Sequence, residues 1–213
     1  MTGAGGNRGN KGLLFYLLSG LCALGFLAAP YLVFMVAPMD PNMGFSQKIF
    51  YFHVPCAWSM FLAAVVGAVG GAAMLFKGKR WGDALCAAGA ELGIIYGVLV
   101  LTTGPLWAKV AWGHYWAWDI RLTTVLVLFL SLVAVQLARR FGGPTASRLA
   151  AGLSLFGAAN VPIVYYSVKL WRTIHPKTSV VSTLPREMLG PFLFSLAVFT
   201  LLFVLLVILR YRL

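Results

Sequence analysis

Six apolar runs, over about 13–36, 52–76, 84–106, 121–138, 149–169 and 188–209, constrain this chain more than any other feature. Runs of about 17–25 residues cross roughly 30 Å of hydrocarbon as helix. Lipid offers the backbone no hydrogen-bond partners, so only helices or closed barrels are admissible there. The two-residue alternation of a barrel strand is absent. With 61% apolar and 10% charged residues, too little polar surface exists to face water on a soluble domain. The expected fold is an all-α integral membrane protein, six transmembrane helices in one bundle, a single membrane domain over 1–213. The first run follows Arg8 and Lys11 like a signal peptide, but it is too long for a cleaved apolar region and reads as a retained span.

The formal net charge of +12 then speaks of topology, not of nucleic acid. Placing Arg8, Lys11, Lys77, Lys79, Arg80, Arg139, Arg140, Arg148, Arg210 and Arg212 inside puts ten cations in the cytoplasm. Seven fall outside: Lys48, Lys109, Arg121, Lys169, Arg172, Lys177 and Arg186. Four of those seven lie in one connection, from Lys169 to Arg186, which calls for its own explanation. Both termini are therefore expected in the cytoplasm. Cys22, Cys56 and Cys86 are isolated in or beside spans and read as small apolar residues.

In that topology the connections at about 37–51, 107–120 and 170–187 face outward, and the aromatic and imidazole content goes with them. Trp58, Trp107, Trp112, Trp116, Trp118 and Trp171 lie at or near the outer side, and Trp81 alone does not. An interfacial belt would populate both sides. His53, His114 and His175 are outward as well. Neutral imidazole is the usual axial ligand of haem iron, so His53 and His175 could hold iron from opposite sides. The competing reading is a pair of hydrogen-bonded anchors. The tryptophans, at 150–250 Å² of buried surface per aromatic ring, could wall a porphyrin. Arg121, Arg172 and Lys177 could meet its propionates, which would account for the basic outer connection. Asp119, directly before a helix, is equally suited to cap it.

Two further features read as structural first. Gly89, Gly93 and Gly97 recur every four residues and permit close helix approach, as do Gly67 and Gly71. Glu91, the one acid deep in a span, is a candidate for a chemical role by its position, or for a partner subunit. The run from Trp107 to Trp118 leaves its own shape open. An extended segment aligns Trp112, His114, Trp116 and Trp118; a helix aligns Trp112 with Trp116 and Trp107 with Trp118.

Trp112-Gly113-His114-Tyr115-Trp116-Ala117-Trp118-Asp119 resembles the tryptophan-rich "WWD" signature of the haem-handling proteins of cytochrome c biogenesis (CcmC, CcmF and CcsA). Lys48-Ile49-Phe50-Tyr51-Phe52-His53-Val54-Pro55-Cys56-Ala57-Trp58 is similar to the first outer histidine segment of the cytochrome c maturation protein C (CcmC) family. Asp119-Ile120-Arg121-Leu122-Thr123-Thr124 continues in the same way, and the stretch from Pro162 to His175 resembles that family's second histidine segment. The resemblance covers about residues 12–210. It implies a haem exporter or haem-handling subunit in the bacterial cytoplasmic (inner) membrane, with no independent turnover. On that likeness His53 and His175 match the axial ligands of haem b on the periplasmic face. The tryptophan-rich segment matches the stretch that contacts the haem edge, and with Arg121, Arg172 and Lys177 as propionate partners the expected haem-binding residues are Trp107, Trp112, Trp116, Trp118, Asp119, Arg121, Arg172 and Lys177. The implied partners are the haem chaperone CcmE, the ABC transporter subunits CcmA and CcmB, and the small membrane protein CcmD. His114 and Tyr115 depart from the usual wording, and His114 stands as an alternative donor. The wording also leans toward CcsA-type haem lyases, which carry extra spans and deeper histidines. A cytochrome b-type electron-transfer subunit would need histidines inside the spans to carry electrons across.

Overall fold

The computed structural model of the protein describes residues 6–176, 181 and 183–212. It contains six helices long and apolar enough to cross a membrane, and no strand among the described residues. These are α1 (Gly6–Tyr31), α2 (Phe50–Lys77), α3 (Arg80–Trp112), α4 (Ile120–Phe141), α5 (Ala146–Leu170) and α6 (Arg186–Arg212). The all-helical, six-span architecture expected from the apolar runs is what forms. The even number of crossings returns the chain to the end where it began, and Arg212 lies over the Phe15 ring at 5.2 Å. One end of the bundle carries His53, His175 and the tryptophan run. The opposite end carries the short basic turns at 77–80 and 141–146.

α2 runs through the middle, packed closely on α3 and also on α5 and α6, while α1 rests mainly on α6. Small residues make the α2–α3 approach possible. A Cβ added at Gly89 would meet Gly67 N at 2.5 Å and Ala63 O at 2.6 Å, so the two backbones touch where a side chain would stand. The larger side chains fill the space beside this seam: Met60, Leu92, Tyr96, Leu128, Leu132, Phe199 and Phe203 form one buried cluster. Val33, Tyr51, Met188 and Phe192 form a second, nearer the histidine end. Many leucines along α1, including Leu17, Leu21, Leu24 and Leu27, remain exposed, as expected of a surface that meets lipid.

Several helices end differently from the apolar windows. Pro30 withholds one N–H from α1, and the following turn widens to a π-helix over Leu32–Val36. Buried Lys48 then secures that end by donating to Ala37 O at 2.5 Å and Pro38 O at 3.1 Å. α3 continues through Pro105 as far as Trp112, so Trp107 and Trp112 are helical residues and not part of a free connection. The stop signal is Gly113, at φ 80°, whose N–H bonds Lys109 O at 3.1 Å. Only glycine takes that left-handed turn without penalty.

At the basic end, Asp83 of α3 accepts two bonds from Arg139 of α4, at 2.6 and 3.1 Å. Glu91 accepts from Arg210 of α6 through both carboxylate oxygens, one of the bonds at 2.9 Å. Paired charges of this kind lower the cost of keeping ionised groups beside lipid. Glu91 is thus engaged in joining α3 to α6. It lies twelve residues, or roughly 18 Å of helix, before Thr103, the α3 residue beside His53.

Candidate functional site

His53 stands in the first turn of α2. Its Nδ1 lies 2.9 Å from the Thr103 hydroxyl of α3. That hydroxyl has a single proton, which it gives to Leu99 O at 2.6 Å. Thr103 Oγ1 therefore accepts from His53, and the imidazole carries its proton on Nδ1. Among the described residues the Nε2 lone pair has no partner. Gly104 makes room for the ring: a Cβ there would come within 3.2 Å of His53 Cε1.

His175 reaches the same state by a different route. Its Nδ1 lies 2.9 Å from Pro176 O, and a carbonyl can only accept. Here too Nδ1–H is the donor and Nε2 holds the lone pair. This hydrogen bond from one ring nitrogen to an oxygen is the usual way a ligating histidine is oriented. Burial, reinforced by the nearby Arg121 guanidinium, holds the His175 imidazole down at about 4. The folded state thus prefers the neutral ring. That preference is in full force above the ordinary histidine range and is lost as pH falls through about 4. NMR titration of the protein is expected to show His175 neutral from pH 8 to well below 6. A midpoint near 6.5 would contradict this.

The backbone at His175 is held by the start of α4. Asp119 caps that helix by accepting from Arg121 N at 2.9 Å, as its place before the helix led one to expect. The same carboxylate accepts from the Thr173 hydroxyl at 2.7 Å and from Ile174 N at 3.1 Å. Thr173 Oγ1 in turn accepts from His175 N at 3.1 Å. Arg121 donates to Val164 O at 2.7 Å and Tyr165 O at 3.4 Å, tying α4 to the last turns of α5. His53, His175 and Arg121 lie within electrostatic reach of one another.

The tryptophan run lies between the two histidine anchors. Thr103, which orients His53, is one helical turn before Trp107 on the same face of α3. Asp119, which anchors the His175 segment, directly follows Trp118. Within the run, Trp107 and Trp112 pack edge to face at 5.3 Å between ring centroids. After Gly113 the backbone is irregular, and Trp116 and Trp118 pack edge to face at 5.8 Å. The helical and the non-helical reading therefore each describe one half of the run. Trp118 is 79% exposed, an unusual state for an indole and one suited to an incoming flat surface. His114 is exposed, with its ring 6.2 Å from that of Trp112. Lys109 donates to Gly113 O at 2.9 Å and lies over the Tyr115 ring at 5.4 Å.

The remaining expected site residues divide. Arg172 is exposed and makes no hydrogen bond among the described residues, so its guanidinium is uncommitted. Lys177 lies outside the described residues. Glu91 belongs to the opposite half of the bundle. Thr103 and Thr173 were not singled out from the sequence. A hydroxyl in a span carries no sign of whether it bonds its own helix, as Thr102 does, or a neighbour's side chain as well.

Comparison with known proteins accords with the geometry. Residues 10–213 match the family described as Heme exporter protein C. The chain is 40% identical over 176 residues to heme exporter protein C of Bradyrhizobium diazoefficiens, covering 79% of this chain and 66% of that protein. It is 37% identical over 183 residues to the protein of that name from Escherichia coli K12, covering 84% and 74%. With the Haemophilus influenzae protein it shares 33% identity over 183 residues, covering 83% and 74%. The chain thus spans about two thirds to three quarters of the length of these relatives. A match over nearly the whole chain, by relatives of one name, places this protein in the CcmC family of heme exporter protein C.

Proposed function

We propose that this protein is a haem-handling subunit of cytochrome c biogenesis, and that haem is its cargo. The observation that carries the reading is the pair of histidines whose Nε2 lone pairs are free, with the tryptophan run set between their anchors. The donor set suits a haem iron taken from both axial directions, since neutral imidazole nitrogen is what such iron binds. Trp107, Trp112, Trp116 and Trp118 provide apolar surface for the porphyrin. Arg172 and Lys177, with the unspent donors of Arg121, are placed in sequence to meet the two propionates. The names of the relatives, heme exporter protein C, support the cargo.

On this reading the cargo is haem b, whose vinyl groups are still unattached. The histidine end faces the periplasm, the basic turns face the cytoplasm as the distribution of Lys and Arg favours, and the membrane is the bacterial inner membrane. The receiving protein is the haem chaperone CcmE, and CcmA, CcmB and CcmD are the other members of the assembly. The role is transport and assembly, not turnover. Held haem must also leave, and histidines gathered at one end of the bundle fit a carrier better than electron transfer across the membrane.

The test is the visible spectrum of the purified protein. Wild type is expected to carry six-coordinate, low-spin haem, and His53→Ala and His175→Ala each to lose that signature. Unchanged six-coordinate spectra in both variants would refute the ligand assignment. Normal cytochrome c maturation in a Trp116→Ala, Trp118→Ala double variant would remove the case for an aromatic wall.

A further inference from the structure

We infer that Asp119 is a positioning residue for His175, and that it ties the tryptophan run to that axial ligand without needing to touch haem. The inference rests on the haem reading above. The observation is the number of donors converging on one carboxylate from two separate connections. Oδ1 accepts from Arg121 N at 2.9 Å and from the Thr173 hydroxyl at 2.7 Å, and Oδ2 accepts from Ile174 N at 3.1 Å. Thr173 passes the link on, because its oxygen accepts from His175 N at 3.1 Å. The amides of residues 174 and 175 are thus held, directly or through one hydroxyl, by the residue that ends the tryptophan run.

A helix cap alone requires one of these bonds. The other two do nothing for α4. They fix the backbone of a stretch with no regular structure, from Trp171 to Pro176. Bonds to an ionised carboxylate are roughly twice as strong as neutral ones, so this clasp is strong relative to its surroundings. It also has a mechanical consequence. Trp118 is the neighbour of Asp119 and is largely exposed, so a partner that draws Trp116 and Trp118 outward would pull on the carboxylate. The His175 segment would follow.

Asp119→Asn separates the cap from the clasp. Asparagine is as good an N-cap as aspartate, so α4 keeps its start. With its amide oxygen kept at the cap, where it also accepts from Thr173, its amide nitrogen faces Ile174 N–H, and two donors cannot bond. Thr173→Val breaks the relay at its other member, and Thr173→Ser preserves it. In the haem-free protein, hydrogen exchange is expected to rise about tenfold at the Ile174 amide in Asp119→Asn and at the His175 amide in Thr173→Val, and to stay put in Thr173→Ser. With haem bound, the first two should show a high-spin fraction that added imidazole returns to low spin, at unchanged melting temperature. Wild-type amide exchange and spin state in both variants, alongside a His175→Ala spectrum that loses its ligand, would overturn the positioning role and leave the ligand assignment standing. A His175→Ala spectrum identical to wild type would overturn both.

Discussion

Gly89→Val is expected to abolish accumulation of the folded protein. The valine Cβ would fall 2.5 Å from Gly67 N and 2.6 Å from both Ala63 O and Gly67 Cα. These are backbone atoms of α2, so no rotamer change relieves the overlap, and the helices must separate. Overpacking in a core costs about 1–3 kcal/mol where side chains can adjust, and more where they cannot. Against a total stability on the order of 5–15 kcal/mol, that is a large share. Separation would also carry Thr103 away from His53, because α2 and α3 each hold one partner of that bond. The measurement is the yield and thermal melting of detergent-solubilised protein beside Gly152→Ala. A Cβ at Gly152 in α5 meets nothing within 4 Å, and that variant should match wild type. A Gly89→Val protein with wild-type yield and melting would refute the close α2–α3 crossing.

Thr103→Val should weaken haem retention about 10- to 100-fold, the usual cost of removing a partner that orients a metal-bound histidine. Valine has nearly the shape of threonine, so packing is retained and only the acceptor is lost. His53 Nδ1–H is then unpaired, and the ring is free to rotate or to move its proton to Nε2, the nitrogen that the proposed haem iron would need. Thr102→Val is the matched control. Among the described residues its hydroxyl bonds only Val98 O and Leu99 O of its own helix, so its haem titration should overlay wild type. Equal haem affinity for the two variants would mean that Thr103 does not orient His53.

The contrast between these neighbouring threonines marks where reading the chain stops. The gathering of the candidate site residues at one end of the bundle was legible, because tryptophans and histidines fall on one side of an alternating series of spans. The N-cap at Asp119 was legible too, because capping is a local rule tied to the following helix. What the carboxylate holds beyond the cap was not, since Thr173 is 54 residues away. Glu91 illustrates the same limit. An acid in a span announces a partner, but only helix packing selects Arg210, 119 residues on.

By itself, the sequence determined the six crossings, their approximate extents and the clustering of imidazole and indole at one end. These follow from hydrophobic run length and from residue order, and lipid enforces them without reference to the rest of the fold. Tertiary structure decided which nitrogen each histidine presents, how far α3 extends, and how the tryptophan run divides at Gly113. A tautomer depends on the oxygen that happens to lie beside Nδ1, and for His53 that oxygen comes from a different helix. Such pairings are set by how close two backbones can come, here by glycines on α2 and α3, and one-dimensional order does not contain that distance.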